Sequence, residues 1–431
     1  MEQNVYDYYT SLLREELVTA LGCTEPIAVA YAAAKAREVL GCIPERIVAA
    51  CSGNIIKNVK SVTVPSTGGM QGIAASAVVG AVGGDANRKL EVLTAVTPQE
   101  VAQARRLLAA NICTVELLEG VPNLDIVVSV FYGSDSALVE LRDGHTNIVR
   151  IEKNGRPLYG GDGACGAPDA ACDGGMLELD AILTYAETVP LEAVSPLLKH
   201  QLACNLAIAE EGLRRPYGAN VGKTILRHLG HGWEQKAMAY AAAGSDARMS
   251  GCGLPVVINS GSGNQGITVS IPVYFYAQEI GANEERLIRA LAVSNLTAIY
   301  QKKKLGKLSA YCGAVSAATA SGAAIAWLSG GSREQIGRTI TNTIANVSGI
   351  VCDGAKASCA AKIASSVGAA ITGYYMAMDG NVFQPGEGLV GSGLDDTVNS
   401  YTTLGRVGMA PTDVTILKMM LGQTEASAAK A

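Results

Sequence analysis

The chain has 431 residues, 49 of them Gly, with only 5% aromatic and 17% charged residues and a net charge of -5. Its hydrophobic fraction of 48% excludes a disordered chain, and 11 Cys are too few for a disulfide mini-scaffold. The acidic balance offers no basic face, so no nucleic-acid partner is expected.

Residues 6–21 carry apolar positions at helical spacing. After the Gly22-Cys23-Thr24-Glu25-Pro26 break, residues 27–40 read as an Ala-rich helix, with Pro26 suited to its first turn. Residues 46–64 read as extended, 65–69 as a sharp loop and 70–82 as a small-residue helix. Residues 98–110 form a charged amphipathic helix. Residues 113–118, 124–132, 136–142 and 146–152 then alternate like half-buried strands. This predicts a small α+β module inserted at 87–175 and closed by a Gly-rich loop at 160–175. Residues 1–86 and 176–431 make a helix-rich core around it.

From residue 177 helices return, over 191–213, 219–229, 233–243, 284–300, 312–328, 333–347 and 357–378. The chain beyond residue 379 reads as loops, with a frayed tail from 427. The fold class is α+β with a helical majority. Residues 310–331 are uncharged and long enough to span a bilayer. Their side chains are mostly small, however, which suits a buried core helix better than insertion, so no membrane partner is expected. The first 14 residues lack a signal peptide's basic and apolar regions. A cytoplasmic protein with reduced thiols is the expectation.

Two apparent nucleotide motifs fail. Gly218-Ala-Asn-Val-Gly222-Lys223-Thr224 has three residues between its glycines where a Walker loop needs four, and Gly251-Cys-Gly253 lacks a third Gly. One internal echo does carry weight. Ser66-Thr67-Gly68-Gly69-Met-Gln71-Gly-Ile-Ala-Ala-Ser76 aligns on Ser260-Gly-Ser262-Gly263-Asn264-Gln265-Gly-Ile-Thr-Val-Ser270, with six of eleven positions identical. Gly-rich helix starts form anion nests, so the pair is expected to hold a small substrate carboxylate.

Among the cysteines, Cys42, Cys51, Cys113, Cys204 and Cys252 sit singly in apolar or turn sequence, as buried thiols do. Cys165 and Cys172 share one loop without a third ligand nearby. Cys312, Cys352 and Cys359 differ, because Asp353, Gly354 and Lys356 between the last two are poor core filling. Three thiolates with an open position suit an aconitase-like [4Fe–4S] cluster, although Zn or plain thiols fit the spacing too.

The segments Leu21-Gly-Cys23-Thr-Glu-Pro26, Cys51-Ser-Gly-Asn54, Ser66-Thr-Gly-Gly69-Met-Gln71, Ser260-Gly-Ser-Gly263-Asn-Gln265-Gly266 and Cys352-Asp-Gly-Ala-Lys356-x-x-Cys359 resemble the L-cysteine desulfidase family. That family is related to the α-chain of iron–sulfur L-serine dehydratases. The resemblance runs from about residue 15 to 410 and implies Cys312, Cys352 and Cys359 as cluster ligands. It implies Cys23 as a further cysteine, catalytic or a displaceable ligand, and breakdown of L-cysteine to pyruvate, ammonia and sulfide. The elimination needs a held carboxylate, an activated leaving group and a base, for which Cys23 and Lys356 are candidates. A salt bridge to Asp353 is the plain alternative for Lys356. L-serine dehydration on the same cluster is the nearest rival, followed by a non-catalytic metal- or ligand-binding protein. A homodimer is plausible.

Overall fold

The computed structural model describes residues 2–160, 177–306 and 308–423. Cys165, Cys172, most of the expected 160–175 loop and the expected tail lie outside them. An Ala-rich helical core is braced on one side by a six-stranded sheet. Helix Gly313–Leu328 is the axis of that core and almost wholly buried. It packs against helices Gly263–Glu279, Glu284–Leu305, Arg333–Asn346 and Ser358–Met378. The uncharged stretch is therefore walled in by protein. Among the described residues, no helix is long and apolar enough to cross a membrane.

Small side chains let these helices touch backbone to backbone. A Cβ on Gly80 would stand 2.2 Å from Ala30 O, so helices Thr24–Leu40 and Gly72–Gly83 meet where any larger residue would push them apart.

The sheet runs in the order Cys113–Leu118, Arg46–Ser52, Asp125–Tyr132, Asp135–Arg142, Ile148–Lys153, Arg156–Tyr159. The first pair is parallel and the rest antiparallel. Strand Arg46–Ser52 sits inside it, so the sheet draws on residues well before position 87. Its middle strands Asp125–Tyr132 and Asp135–Arg142, which bury Val128, Val130, Val139 and Leu141, pack on helix Thr24–Leu40. The sheet thus braces the helix that carries Cys23 at its start.

Several segments differ from the sequence expectation, among them residues 19–21, read as the end of a helix and found as a strand, and Leu179–Thr188, a helix not expected. The extended reading of 46–64 stops at Ser52, and Gly53–Val59 is a short helix. Its buried Ile55, Ile56 and Val59 read as strand because β-branched residues dominate it. Strand Arg156–Tyr159 is exposed at every position and shows no alternation. The expected loops after 379 contain helices Leu394–Thr403 and Ala410–Met420. The first buries Thr397, Val398, Tyr401 and Thr402, where two apolar positions alternate with polar ones and give only a short periodic signal, and the second buries nothing.

Candidate active site

Four helix starts form one linked corner. Cys23 precedes helix Thr24–Leu40, Ser262 precedes Gly263–Glu279, Cys312 precedes Gly313–Leu328, and Cys359 is the second residue of Ser358–Met378. None of the four takes a side-chain cap hydrogen bond from its N-cap residue. Uncapped starts leave backbone N–H groups and partial positive charge for anions. Arg248 Nε donates to Gly22 O at 2.8 Å, and its guanidinium lies against Gly263, where a Cβ would stand 2.4 Å from Nε. Thr24 Oγ1 donates to Gly261 O at 2.8 Å. Gln265 lies against Gly313, where a Cβ would stand 2.6 Å from its Cδ.

The three clustered cysteines meet at this corner. Tyr311 and Val351 form an antiparallel bridge. Around it Cys312 N donates to Ile350 O at 2.8 Å and Cys352 N to Ala310 O at 2.7 Å. Cys359 follows one turn later, its Sγ donating to Gly354 O at 3.8 Å. Burial, then the neighbouring Cys352 and Cys359, push the Cys312 thiol up to about 12. Burial chiefly raises Cys359 as well. Lys302 is pulled down to about 8 by burial, although Cys352 and Cys312 oppose the shift. Lys362 Nζ donates to Val351 O at 2.8 Å and pairs with Asp353. Lys57, from the short helix, donates to Cys352 O at 3.2 Å and pairs with Asp413 at 2.5 Å.

This donor set suits an iron–sulfur centre. The Cys312 and Cys359 thiols, with Cys352 beside them, resist ionising, and a bound cationic metal is what relieves such a set. The described cysteines are all free thiols. Among the described residues, no three His, Cys, Asp or Glu donors are grouped to hold a single ion. In a cubane each thiolate binds a different iron, so its ligands stand further apart than the donors of one ion.

Cys23 is buried and donates to Glu25 Oε2 at 3.0 Å. Burial, then the Glu25 charge, push its thiol well above the usual range, with Arg248 opposing. Glu25 is the reverse case. Burial pushes its carboxyl up, but His145, the Cys23 thiol and Arg248 outweigh this and hold it low. Asn58 Nδ2 donates to its other oxygen at 3.1 Å. His145 comes from the turn after strand Asp135–Arg142, and a Cβ on Gly261 would stand 3.1 Å from its ring. The sheet therefore contributes a side chain to the corner as well as bracing it.

The two echoing loops are placed differently. Ser260, Ser262, Gly263, Asn264 and Gln265 belong to the corner through Thr24, Arg248 and Gly313. Asn264 Oδ1 and Gln265 Oε1 are buried acceptors without a partner among the described residues. Ser66, Thr67, Gly68, Gly69 and Gln71 border it through Pro65, where a Cβ on Gly22 would stand 2.2 Å from that ring. Thr67 spends its hydroxyl on its own turn, at 2.7 Å from Val64 O. Lys356 pairs with Asp353 at 3.0 Å. His200 bonds Thr19 Oγ1 at 3.0 Å. The false Walker loop is filled from within, because Asp246 accepts Val221 N at 2.7 Å and Ala219 N at 3.2 Å.

A cavity of about 820 Å³ opens beside the corner, lined in part by Glu16, Asn54, Ser260, Lys302, Arg406 and Asp413. Sequence reasoning passed over Glu25, Arg248, His145, Lys302 and Lys362. Glu25 stood inside a quoted motif two residues from Cys23. The others come from distant elements and carry no local signal.

Fold and site define a helical α+β protein with a thiol-rich corner at the starts of several helices. Residues 87–418 match the family described as serine dehydratase alpha chain. A UPF0597 protein of Lachnoclostridium phytofermentans is 51% identical over 417 residues, covering 97% of this chain and 100% of the relative. UPF0597 proteins of Desulfitobacterium hafniense and Treponema denticola are 47% and 46% identical, each over 98% of this chain and 98% and 99% of the relative. The chain belongs to the serine dehydratase alpha chain family.

Proposed function

We propose that the chain is a lyase that breaks L-cysteine into pyruvate, ammonia and hydrogen sulfide. Cys312, Cys352 and Cys359 would hold a [4Fe–4S] cluster for the reaction. The observation that carries this is the meeting of Cys312, Cys352 and Cys359 around the Tyr311–Val351 bridge, Cys312 and Cys359 at helix starts, under the charges of Lys302, Lys362 and Arg248. When bound, the cluster supplies Lewis acidity toward the leaving sulfur, in place of the electron sink of a pyridoxal cofactor.

The chain's own residues supply the rest. The Ser260–Gln265 loop receives the substrate's carboxylate, while the loop of Ser66, Thr67, Gly68, Gly69 and Gln71 borders the corner from outside. Cys23, as the thiolate, takes the Cα proton, and Glu25 Oε2, 3.0 Å from its Sγ, fixes where that sulfur stands. Lys356 is the less favoured base, because Asp353 holds its ammonium. Loss of the Cα proton drives the Cβ–S electrons onto sulfur. Hydrosulfide leaves, and the resulting aminoacrylate tautomerises and hydrolyses in water to pyruvate and ammonia.

The family description favours one second reading, L-serine as substrate, where the same elimination expels hydroxide and yields pyruvate and ammonia. Purification without oxygen tests both. Iron, acid-labile sulfide and pyruvate from L-cysteine are the expected results, and kcat/KM for L-cysteine against L-serine decides the substrate. A folded anaerobic preparation without a cluster would overturn the mechanism.

A further inference from the structure

Arg248 is 2% exposed, and among the fully buried side chains it is one of the largest. Among the described residues its guanidinium makes one hydrogen bond, from Nε to Gly22 O, and no carboxylate lies within ion-pair distance. That leaves the Nη fork without a partner. A buried charge with no direct ion pair is costly to keep, so a chain that keeps one has a use for it. The nearby charges do not fill that role. Glu25 and the thiols of Cys23 and Cys359 feel Arg248 electrostatically, but none forms an ion pair or hydrogen bond with it.

A second observation points the same way. The guanidinium rests on Gly263, the first residue of helix Gly263–Glu279, which has 17 residues and no side-chain cap. The unsatisfied first-turn N–H groups of that helix and an unpaired guanidinium fork therefore lie side by side, between Cys23 and Cys359. A planar fork beside a helix start matches a carboxylate in shape as well as charge.

We propose that Arg248 anchors the substrate's α-carboxylate, with the first turn of helix Gly263–Glu279 as the second half of the grip. The inference rests on the amino-acid lyase reading. It moves the burden of carboxylate recognition from the glycine loops to an arginine that no motif marks. It also gives Gly263 a reason to be Gly, because a Cβ there would stand 2.4 Å from Nε and 2.8 Å from Cζ and would displace the guanidinium. The carboxylate would sit at Arg248 and the β-sulfur toward Cys312, Cys352 and Cys359, leaving the Cα proton to Cys23.

The test compares the anaerobically purified wild-type protein with R248Q, R248K and G263A, using calorimetric titration and turnover. The probes are L-cysteine, L-serine, L-serinamide and acetate. Wild type is expected to bind the amino acids but not the amide, and R248Q to lose about 10- to 100-fold in affinity. R248K and G263A are expected to fall between them, with the loss in KM exceeding the loss in kcat. Should R248Q fail to fold, R248K and G263A carry the same comparison. Equal affinity in wild type and all folded variants overturns the anchor while leaving the lyase reading intact. If wild type neither binds nor converts either amino acid, the lyase reading fails. Acetate then judges the site itself: binding that the variants lose supports an Arg248 carboxylate site, and no binding overturns it.

Discussion

The loops at Ser66–Gln71 and Ser260–Gln265 start alike and end differently. Ser66 and Ser260 both hold left-handed backbone, with φ of 61° and 49°. Ser76 and Ser270 both turn back to the carbonyl four residues earlier, at 2.9 and 2.7 Å. The helix then begins at Gly263 in the second loop but only at Gly72 in the first, three residues later in the shared frame. In the first loop Thr67 O and Gly68 O are taken by Arg105 Nη2 at 2.8 and 2.6 Å, and Gln71 is exposed, bonding Thr63 at 3.3 Å. In the second, Gln265 is buried against Gly313, beside Cys312. One short pattern thus makes an outer turn in one setting and a wall of the thiol corner in the other.

Variants in and around the two loops can break that contrast or sharpen it. The corner sets the scale. C312S should lose iron and acid-labile sulfide, and pyruvate formation should drop to background, because the Gln265 side of the corner then faces no metal centre. C23A should keep its iron but lose about 10²- to 10⁴-fold in kcat, the usual worth of a positioned acid–base group. Iron lost together with activity would make Cys23 a ligand. Q265A should cost about tenfold or more in kcat/KM, since it empties a buried place next to Cys312. Q71A should stay within about threefold, as its amide reaches only Thr63. Equal losses in Q265A and Q71A would erase the distinction between the loops. The smallest effect is expected from R105A, which frees two carbonyls of the outer loop. It should lower stability by about 1 kcal/mol in denaturant titration, with turnover nearly unchanged.

Much of the fold was legible along the chain. The strands at Cys113–Leu118, Asp125–Tyr132 and Asp135–Arg142 and most of the long helices stand within a few residues of their sequence expectation. Period-two and period-3.6 patterns are local and survive in one dimension. The helices after Asp379 were not legible, because one buries only Val398 and Tyr401 as apolar positions, among threonines, and the other buries nothing. In the site, Cys23, Cys312, Cys352, Cys359 and the second loop carried local marks, as did the family resemblance built on them.

The sequence by itself determined the α+β class, the small-residue helices and the list of thiols worth watching. These depend on side-chain size, hydrophobic period and short spacings, which one strand of text preserves. Only the tertiary structure decided which neighbours those thiols have. Arg248 lies 225 residues from Cys23 in the chain, and His145 reaches the corner from a sheet turn. Electrostatic fields and packing act through space, so an arginine's burial, its field on Glu25 and its rest against Gly263 exist only once distant helix starts have been brought together.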